Sequence, residues 1–109
     1  YGLRKVGKRW KKIMAHLETG AETEYKLAII EADSILADTL AKMNLPGETT
    51  DAKLQQVTKI MIANLDDVRE AHQIRNTIIY DPDYRLTLME ARRILAIYEI
   101  AFRGLDIMG

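Results

Sequence analysis

The chain has 109 residues, the size of one domain with a single hydrophobic core. Its 16 basic and 16 acidic residues balance, which excludes a nucleic-acid binder that relies on a general positive charge and leaves only local RNA contacts. The absence of cysteine excludes disulfides and thiolate metal sites, and the two histidines are far apart in sequence, so we expect no metal and no cofactor.

The first predicted helix runs from about Leu3 to Glu18 and has one apolar and one basic side. The apolar residues recur at helical spacing and are Trp10, Ile13, Met14 and Leu17. The basic residues are Arg4, Lys5, Lys8, Arg9, Lys11 and Lys12. We interpret this basic cluster as a solvent-exposed face, with a phosphate-contacting surface or a junction near a membrane as the alternatives.

The first residue is Tyr1 rather than Met, so we expect residues 1–109 to be one domain of a longer protein. No apolar run reaches the length of a membrane span, and no signal peptide is visible. We therefore expect a cytoplasmic domain, either free or tethered through an upstream segment.

The second predicted helix runs from about Glu22 to Met43, with Thr19 and Glu22 as a capping box at its start. Glu31 and Asp33 interrupt its apolar run. Because they lie two residues apart, their side chains point to different sides of the helix. We expect one of them to face inward and meet a cation.

Three more helices are predicted after the break at Asn44–Gly47. The third follows Thr49 and Thr50 and carries Leu54, Val57, Ile60 and Met61. The fourth begins at a cap formed by Asn64 and ends near Tyr80 because Pro82 stops it, and the fifth begins at a Thr87–Glu90 capping box and reaches about Leu105. In no segment do apolar and polar residues alternate with a period of two, so no strand is predicted. The predicted fold class is therefore all-α, an up-and-down bundle of about five helices.

The fourth helix places His72, Arg75 and Asn76 on one side of an otherwise apolar segment. An arginine fork matches a phosphate in a bidentate way, and Asn76 can orient a partner through its amide. Tyr80, one turn beyond Asn76, can bring a hydroxyl to the same place. These residues predict a binding site, but a salt bridge from Arg75 to Glu31 or Asp33 explains the pattern equally simply.

The segment Ala71-His72-Gln73-Ile74-Arg75-Asn76-Thr77-Ile78-Ile79-Tyr80 resembles the motif of the HEPN superfamily, in which Arg, often followed by Asn, precedes a His by four to six residues. The stretch Ala28-Ile29-Ile30-Glu31-Ala32-Asp33 is also similar to a helix of small bacterial HEPN-like proteins. The resemblance covers the chain from Trp10 to about Leu105. It departs from the motif at Tyr80, which stands where the family has His.

The resemblance implies a helical bundle that forms a homodimer, with motifs of both protomers lining one cleft. Active members are metal-independent endoribonucleases in which Arg binds the phosphate and His transfers protons. The implied catalytic set is Arg75, Asn76 and Tyr80. His72 lies roughly 12 Å from Tyr80 along the helix axis, so it replaces the missing His only from the partner protomer.

A phenol titrates near pH ~10 and is a poor base at neutral pH, so the resemblance favours a catalytically weak or inactive module that binds RNA or a nucleotide. The first alternative is a working endoribonuclease of the toxin or defence type, with a nucleotidyltransferase antitoxin as partner and Tyr80 or Tyr84 as its modification target. The second alternative is a structural helical adaptor without a ligand.

Overall fold

The structure is a computed structural model that describes residues 5–108, and these form an all-α helical bundle. Its helices are α1 (Gly7–Ala15), α2 (Glu22–Lys42), α3 (Thr50–Leu54), α4 (Leu65–Tyr80) and α5 (Leu88–Gly104), with a short 3₁₀ turn at His16–Thr19. No β-strand occurs between residues 5 and 108. The predicted all-α fold class is therefore confirmed.

The longest helix, α2, is the centre of the bundle and packs against α1, α3, α4 and α5. A helix with neighbours on several sides must be apolar on several sides, and this explains the long apolar run of α2. Its buried apolar residues are Tyr25, Ala28, Ile29, Ala32, Ile35, Leu36 and Leu40. Among the residues of α2, Asp33 has the one carboxylate that is buried.

Helix α1 and the residue before it contact the C-terminal part of the described chain. The ring of Trp10 packs edge-on against Phe102, with 5.7 Å between the ring centroids. The backbone N–H of Val6 donates to the carbonyl of Ile107 at 2.7 Å. The two ends of the described chain therefore meet, and the basic side of α1 remains on the surface.

Two predicted helices are shorter in the structure than the sequence pattern indicated. The first was expected from Leu3 to Glu18; α1 begins at Gly7 and passes into the 3₁₀ turn after Ala15, and Leu3 lies outside the described residues. The third ends at Leu54, and Ile60 is 97% exposed rather than part of an apolar face. Segment 55–64 instead makes isolated turns around the buried Val57 and Ile62.

One of the three predicted helix caps forms in part, because the Thr87 hydroxyl accepts from the backbone N–H of Glu90 at 3.1 Å, whereas the Glu90 carboxylate accepts from Arg93 and completes no capping box. The expected Thr19–Glu22 box is wrong, since the Glu22 carboxylate accepts from the backbone N–H of Leu86 at 2.6 Å. The Asn64 cap is also wrong, because the Asn64 amide donates to the carbonyl of Ile97. In both cases a long-range partner competes successfully with the local backbone.

The helices of the described chain were also compared with the requirements of a membrane span. Between residues 5 and 108, no helix combines the length and the apolar character that crossing a bilayer requires.

Replacement of Thr87 by alanine tests the cap of α5. We expect Thr87→Ala to lower the free energy of unfolding by about 1 kcal/mol, because the N–H of Glu90 loses its acceptor. Thr87→Ser keeps the hydroxyl and is the matched control, with most of the stability retained. Urea denaturation of the three proteins measures the difference; an alanine variant as stable as the serine variant would show that the cap contributes nothing.

Candidate functional site

The candidate site is built around the carboxylate of Asp33, which is only 2% exposed. Its Oδ2 accepts a hydrogen bond from the Tyr98 hydroxyl on α5 at 2.7 Å and lies 2.8 Å from Nδ1 of His72 on α4. Its Oδ1 lies 3.6 Å from Nε of Arg75. A buried charge is tolerated only when it is paired and hydrogen-bonded, and Asp33 meets both conditions.

His72, also 2% exposed, lies between two carboxylates. Nδ1 faces Asp33, and Nε2 lies 3.1 Å from Oδ1 of Asp51 on α3. Donation from both ring nitrogens to the two carboxylates requires the imidazolium form, whereas the Asn76 amide nitrogen, 3.4 Å from Nε2, is placed to donate to a neutral ring. Burial works against that charge, but the hydrogen bonds to Asp33 and Asp51 outweigh it and raise the pKa of His72 above its ordinary value.

Arg75 is held on two sides. Its Nη1 donates to Oδ1 of Asn76 at 2.9 Å, and its Nε points to Asp33. The 3.6 Å from Nε to Asp33 exceeds a hydrogen-bond length, and within residues 5–108 this buried Nε has no hydrogen-bond partner. The Arg75 side chain nevertheless keeps 30% of its surface exposed, so part of the guanidinium is open to solvent.

The structure therefore brings three of the four predicted site residues together. His72, Arg75 and Asn76 form one group with Asp33, with the Asn76 amide nitrogen 3.4 Å from Nε2 of His72. The fourth, Tyr80, is 82% exposed at the end of α4, and no hydrogen bond connects its hydroxyl to the group within the described chain.

The expected salt bridge of Arg75 to Glu31 or Asp33 is present with Asp33. The expectation that one of the two carboxylates on α2 faces inward is met by Asp33. Glu31 is half-buried and lies 3.1 Å from Nε2 of His16, whose Nδ1 lies 3.1 Å from Glu24. The hydrogen bond to Glu24 is the largest cause that raises the pKa of His16.

Two members of the site were not identified from the sequence. Tyr98 was not singled out as a site residue in the sequence, and its hydroxyl is buried against Asp33. Burial, followed by the charge of Asp33, strongly raises the pKa of Tyr98, which therefore stays a neutral donor. Asp51 is on a short helix whose position relative to α4 no local pattern reveals.

A surface cavity of about 450 Å³ lies beside His72 and is lined by Asp51, Leu54, Gln55, Arg69, His72 and Gln73. His72 and Leu54 are the buried members of this lining, and Nε2 of His72 lies 3.1 Å from Oδ1 of Asp51. A protonated imidazole between two carboxylates has no lone pair with which to accept a proton. The described residues contain no group of three or more His, Cys, Asp or Glu side chains that could hold a metal ion.

Removal of the Tyr98 hydroxyl tests the buried carboxylate. We expect Tyr98→Phe to lower the free energy of unfolding by about 1.5–3 kcal/mol, because Oδ2 of Asp33 loses a donor in a place that water does not reach. Tyr84→Phe removes a hydroxyl from a half-buried tyrosine away from Asp33 and is the matched control, with little change expected. Equal losses in the two variants, measured by urea denaturation, would contradict this assignment of Tyr98.

The protonation of His72 gives a pH dependence with a defined sign. Because its folded pKa is raised, its contribution to stability is complete below the unfolded value of about 6.5 and is lost as the pH rises through the folded pKa. His16 acts in the same direction, so the measurement uses His16→Gln, which leaves His72 as the chain's one histidine. NMR titration of the imidazole should give a midpoint above 6.5, and denaturation should show stability falling at higher pH.

A midpoint at or below 6.5 in that variant would mean that burial prevails over the two carboxylates. His72 would then be neutral in the folded protein. Only one of its two ring nitrogens would then carry a proton and donate a hydrogen bond to a carboxylate.

No protein-family model, no curated protein and no solved structure matches the chain. The HEPN resemblance therefore depends on the sequence motif alone.

Proposed function

We propose that this domain is a HEPN-like module that binds single-stranded RNA or a nucleotide and is catalytically weak or inactive. The observation that carries the proposal is the exposed ring of Tyr80, at 82%, on the same helix as the partly exposed guanidinium of Arg75. A cation that meets a phosphate and an aromatic ring that stacks on a base are the two elements by which proteins bind single strands without reading their sequence.

The position of Arg75 supports a phosphate contact. Asp33 lies behind the guanidinium, on its buried side, and Asn76 holds Nη1. The exposed part of the fork is therefore oriented toward solvent and offers N–H donors to an incoming oxyanion. Because Asp33 partly neutralises Arg75, we expect a contact with about one phosphate and a modest affinity.

The state of His72 supports binding rather than cleavage. Its two nitrogens are taken by Asp33 and Asp51, and Tyr80 is a phenol in the motif position where the resembling family has His. Without a group that titrates near neutrality and is free to exchange a proton, general acid–base catalysis loses about 10²- to 10⁴-fold.

Dimer formation and a cytoplasmic location are part of the same proposal and follow from the HEPN resemblance. Two exposed apolar side chains, Ile79 next to Tyr80 on α4 and Met89 in the first turn of α5, offer surface for a second copy.

The proposal predicts how RNA binding changes when the ring of Tyr80 is removed. Fluorescence anisotropy with a labelled single-stranded oligonucleotide should show a loss of roughly tenfold in affinity for Tyr80→Ala, since stacking contributes about 1–3 kcal/mol per base. Tyr80→Phe keeps the ring and should bind like the parent. Ile60→Ala, at a position 97% exposed, is a second control in which an apolar surface is lost elsewhere.

The charge of Arg75 is tested in the same assay. Arg75→Ala should abolish measurable binding, whereas Arg92→Ala, with the same change of net charge on an exposed part of α5, should not. A single phosphate contact gives a slope of about −0.7 for the logarithm of affinity against the logarithm of salt concentration. Denaturation of each variant separates lost binding from lost folding.

Three results would overturn the proposal. Absence of binding by the parent chain, together with a stability loss in Arg75→Ala, would leave Arg75 as a structural partner of Asp33. Equal weakening by Tyr80→Ala and Ile60→Ala would remove the stacking role. Metal-free RNA cleavage by the parent that disappears in Arg75→Ala would identify a working nuclease.

A further inference from the structure

Six of the 16 basic residues lie in the first 12 positions, and no acidic residue lies among them. The structure places most of these cations around one cavity of about 970 Å³ between the start of α1 and the second half of α2. We call it the basic groove; its charged lining residues are Lys5, Lys8, Arg9, Lys12, Lys42 and Asp38. We propose that the basic groove binds a ligand with several adjacent phosphate groups, of about the size of a nucleoside triphosphate.

The charges in the groove are unbalanced. Five basic side chains line it together with one carboxylate, Asp38, which is 3.5 Å from Arg9. Lys5 pairs outside the groove with Asp106 at 3.4 Å. Lys8 and Lys12 enter no salt bridge with any residue between 5 and 108. Because the chain as a whole is neutral, this local excess is a property of the groove and not of the composition.

Helical spacing gives the groove a geometry suited to more than one phosphate. Lys8 and Lys12 are four residues apart and so are neighbours on one side of α1. The first turn of α1 contains no acidic residue, and no side chain caps its backbone N–H groups, so the positive end of this helix adds to the same field. Because Lys5 and Arg9 already have carboxylate partners, Lys8, Lys12 and the positive end of α1 are the groups that would meet the phosphates of a ligand.

The dimensions favour a small ligand. The volume is in the range of clefts that take small molecules and cofactors, which is about 300–1,000 Å³. The buried side chains of Ile35 and Thr39 lie at its base, and the Thr39 hydroxyl is already used because it donates to the carbonyl of Ile35. Specificity must therefore come from the charged side chains around the rim.

This inference concerns a different surface from that of Arg75 and does not depend on RNA binding there. The groove is formed by α1 and α2, whereas Arg75 and Tyr80 are on α4. Because Arg75 is itself proposed to contact a phosphate, triphosphate binding is assigned to the groove by variants of α1, Lys8→Ala and its control Lys11→Ala, and not by the titration of the parent chain alone.

The test is calorimetric titration of the 109-residue chain with inorganic triphosphate, supported by the fluorescence of Trp10, the chain's single tryptophan, which lies on α1. We expect saturable binding that weakens about tenfold in Lys8→Ala, the effect of losing one charge-assisted hydrogen bond. Lys11→Ala is the matched control, since Lys11 is exposed on the same helix but does not line the groove. It should change the affinity by less than about twofold.

Two further arms identify the source and the chemistry of the anion. Citrate, a small tricarboxylate, should bind much more weakly than triphosphate; equal binding would overturn the assignment to phosphate. Vesicles of phosphatidylglycerol test a lipid headgroup, and binding to vesicles without binding to free triphosphate would overturn the proposal of a small soluble ligand. Equal losses of affinity for triphosphate in Lys8→Ala and Lys11→Ala would overturn the proposal, because they would show that the basic helix attracts anions without a defined site in the groove.

Discussion

A carboxylate sealed inside a helical bundle must be matched by donors from the helices around it, and this requirement organises the centre of the molecule. Asp33 lies on the helix that every other helix touches, and its partners come from α4 and α5. The carboxylate alone would be far too costly to bury. Together with His72, Arg75 and Tyr98 it fixes the angular position of α4 and α5 about α2. Apolar contacts alone would define this orientation less strictly, because they are not directional.

The same interaction determines which parts of the candidate site can react. His72 has the residue type of a general base, but its two ring nitrogens lie 2.8 and 3.1 Å from the carboxylates of Asp33 and Asp51, and these carboxylates raise its pKa against the effect of burial. Tyr98 is a neutral donor to Asp33. Arg75, Asn76 and Tyr80 are the members of the predicted set that reach solvent, and His72 is buried. The surface part of the site therefore consists of a guanidinium, an amide and an aromatic ring.

The sequence was informative wherever a pattern is local. Helical spacing located all five helices, and the interruption of an apolar run by Glu31 and Asp33 correctly indicated one inward carboxylate with a cationic partner. It failed where a distant residue competes with a local one: Glu22 accepts from Leu86 instead of capping α2, and Asn64 donates to Ile97. Tyr98 and Asp51 were missed for the same reason, because their roles depend on how helices meet and not on any spacing within a helix.

The way in which Arg75 is held has a consequence for conformational entropy. A free arginine side chain carries about 2 kcal/mol of rotamer entropy, and a binding site that must first order it loses affinity by a corresponding amount. Here Asn76 on one side and Asp33 on the other restrict the guanidinium before any anion arrives. The ordering is thus completed during folding, and an oxyanion that reaches the exposed edge meets a side chain with little freedom left to lose.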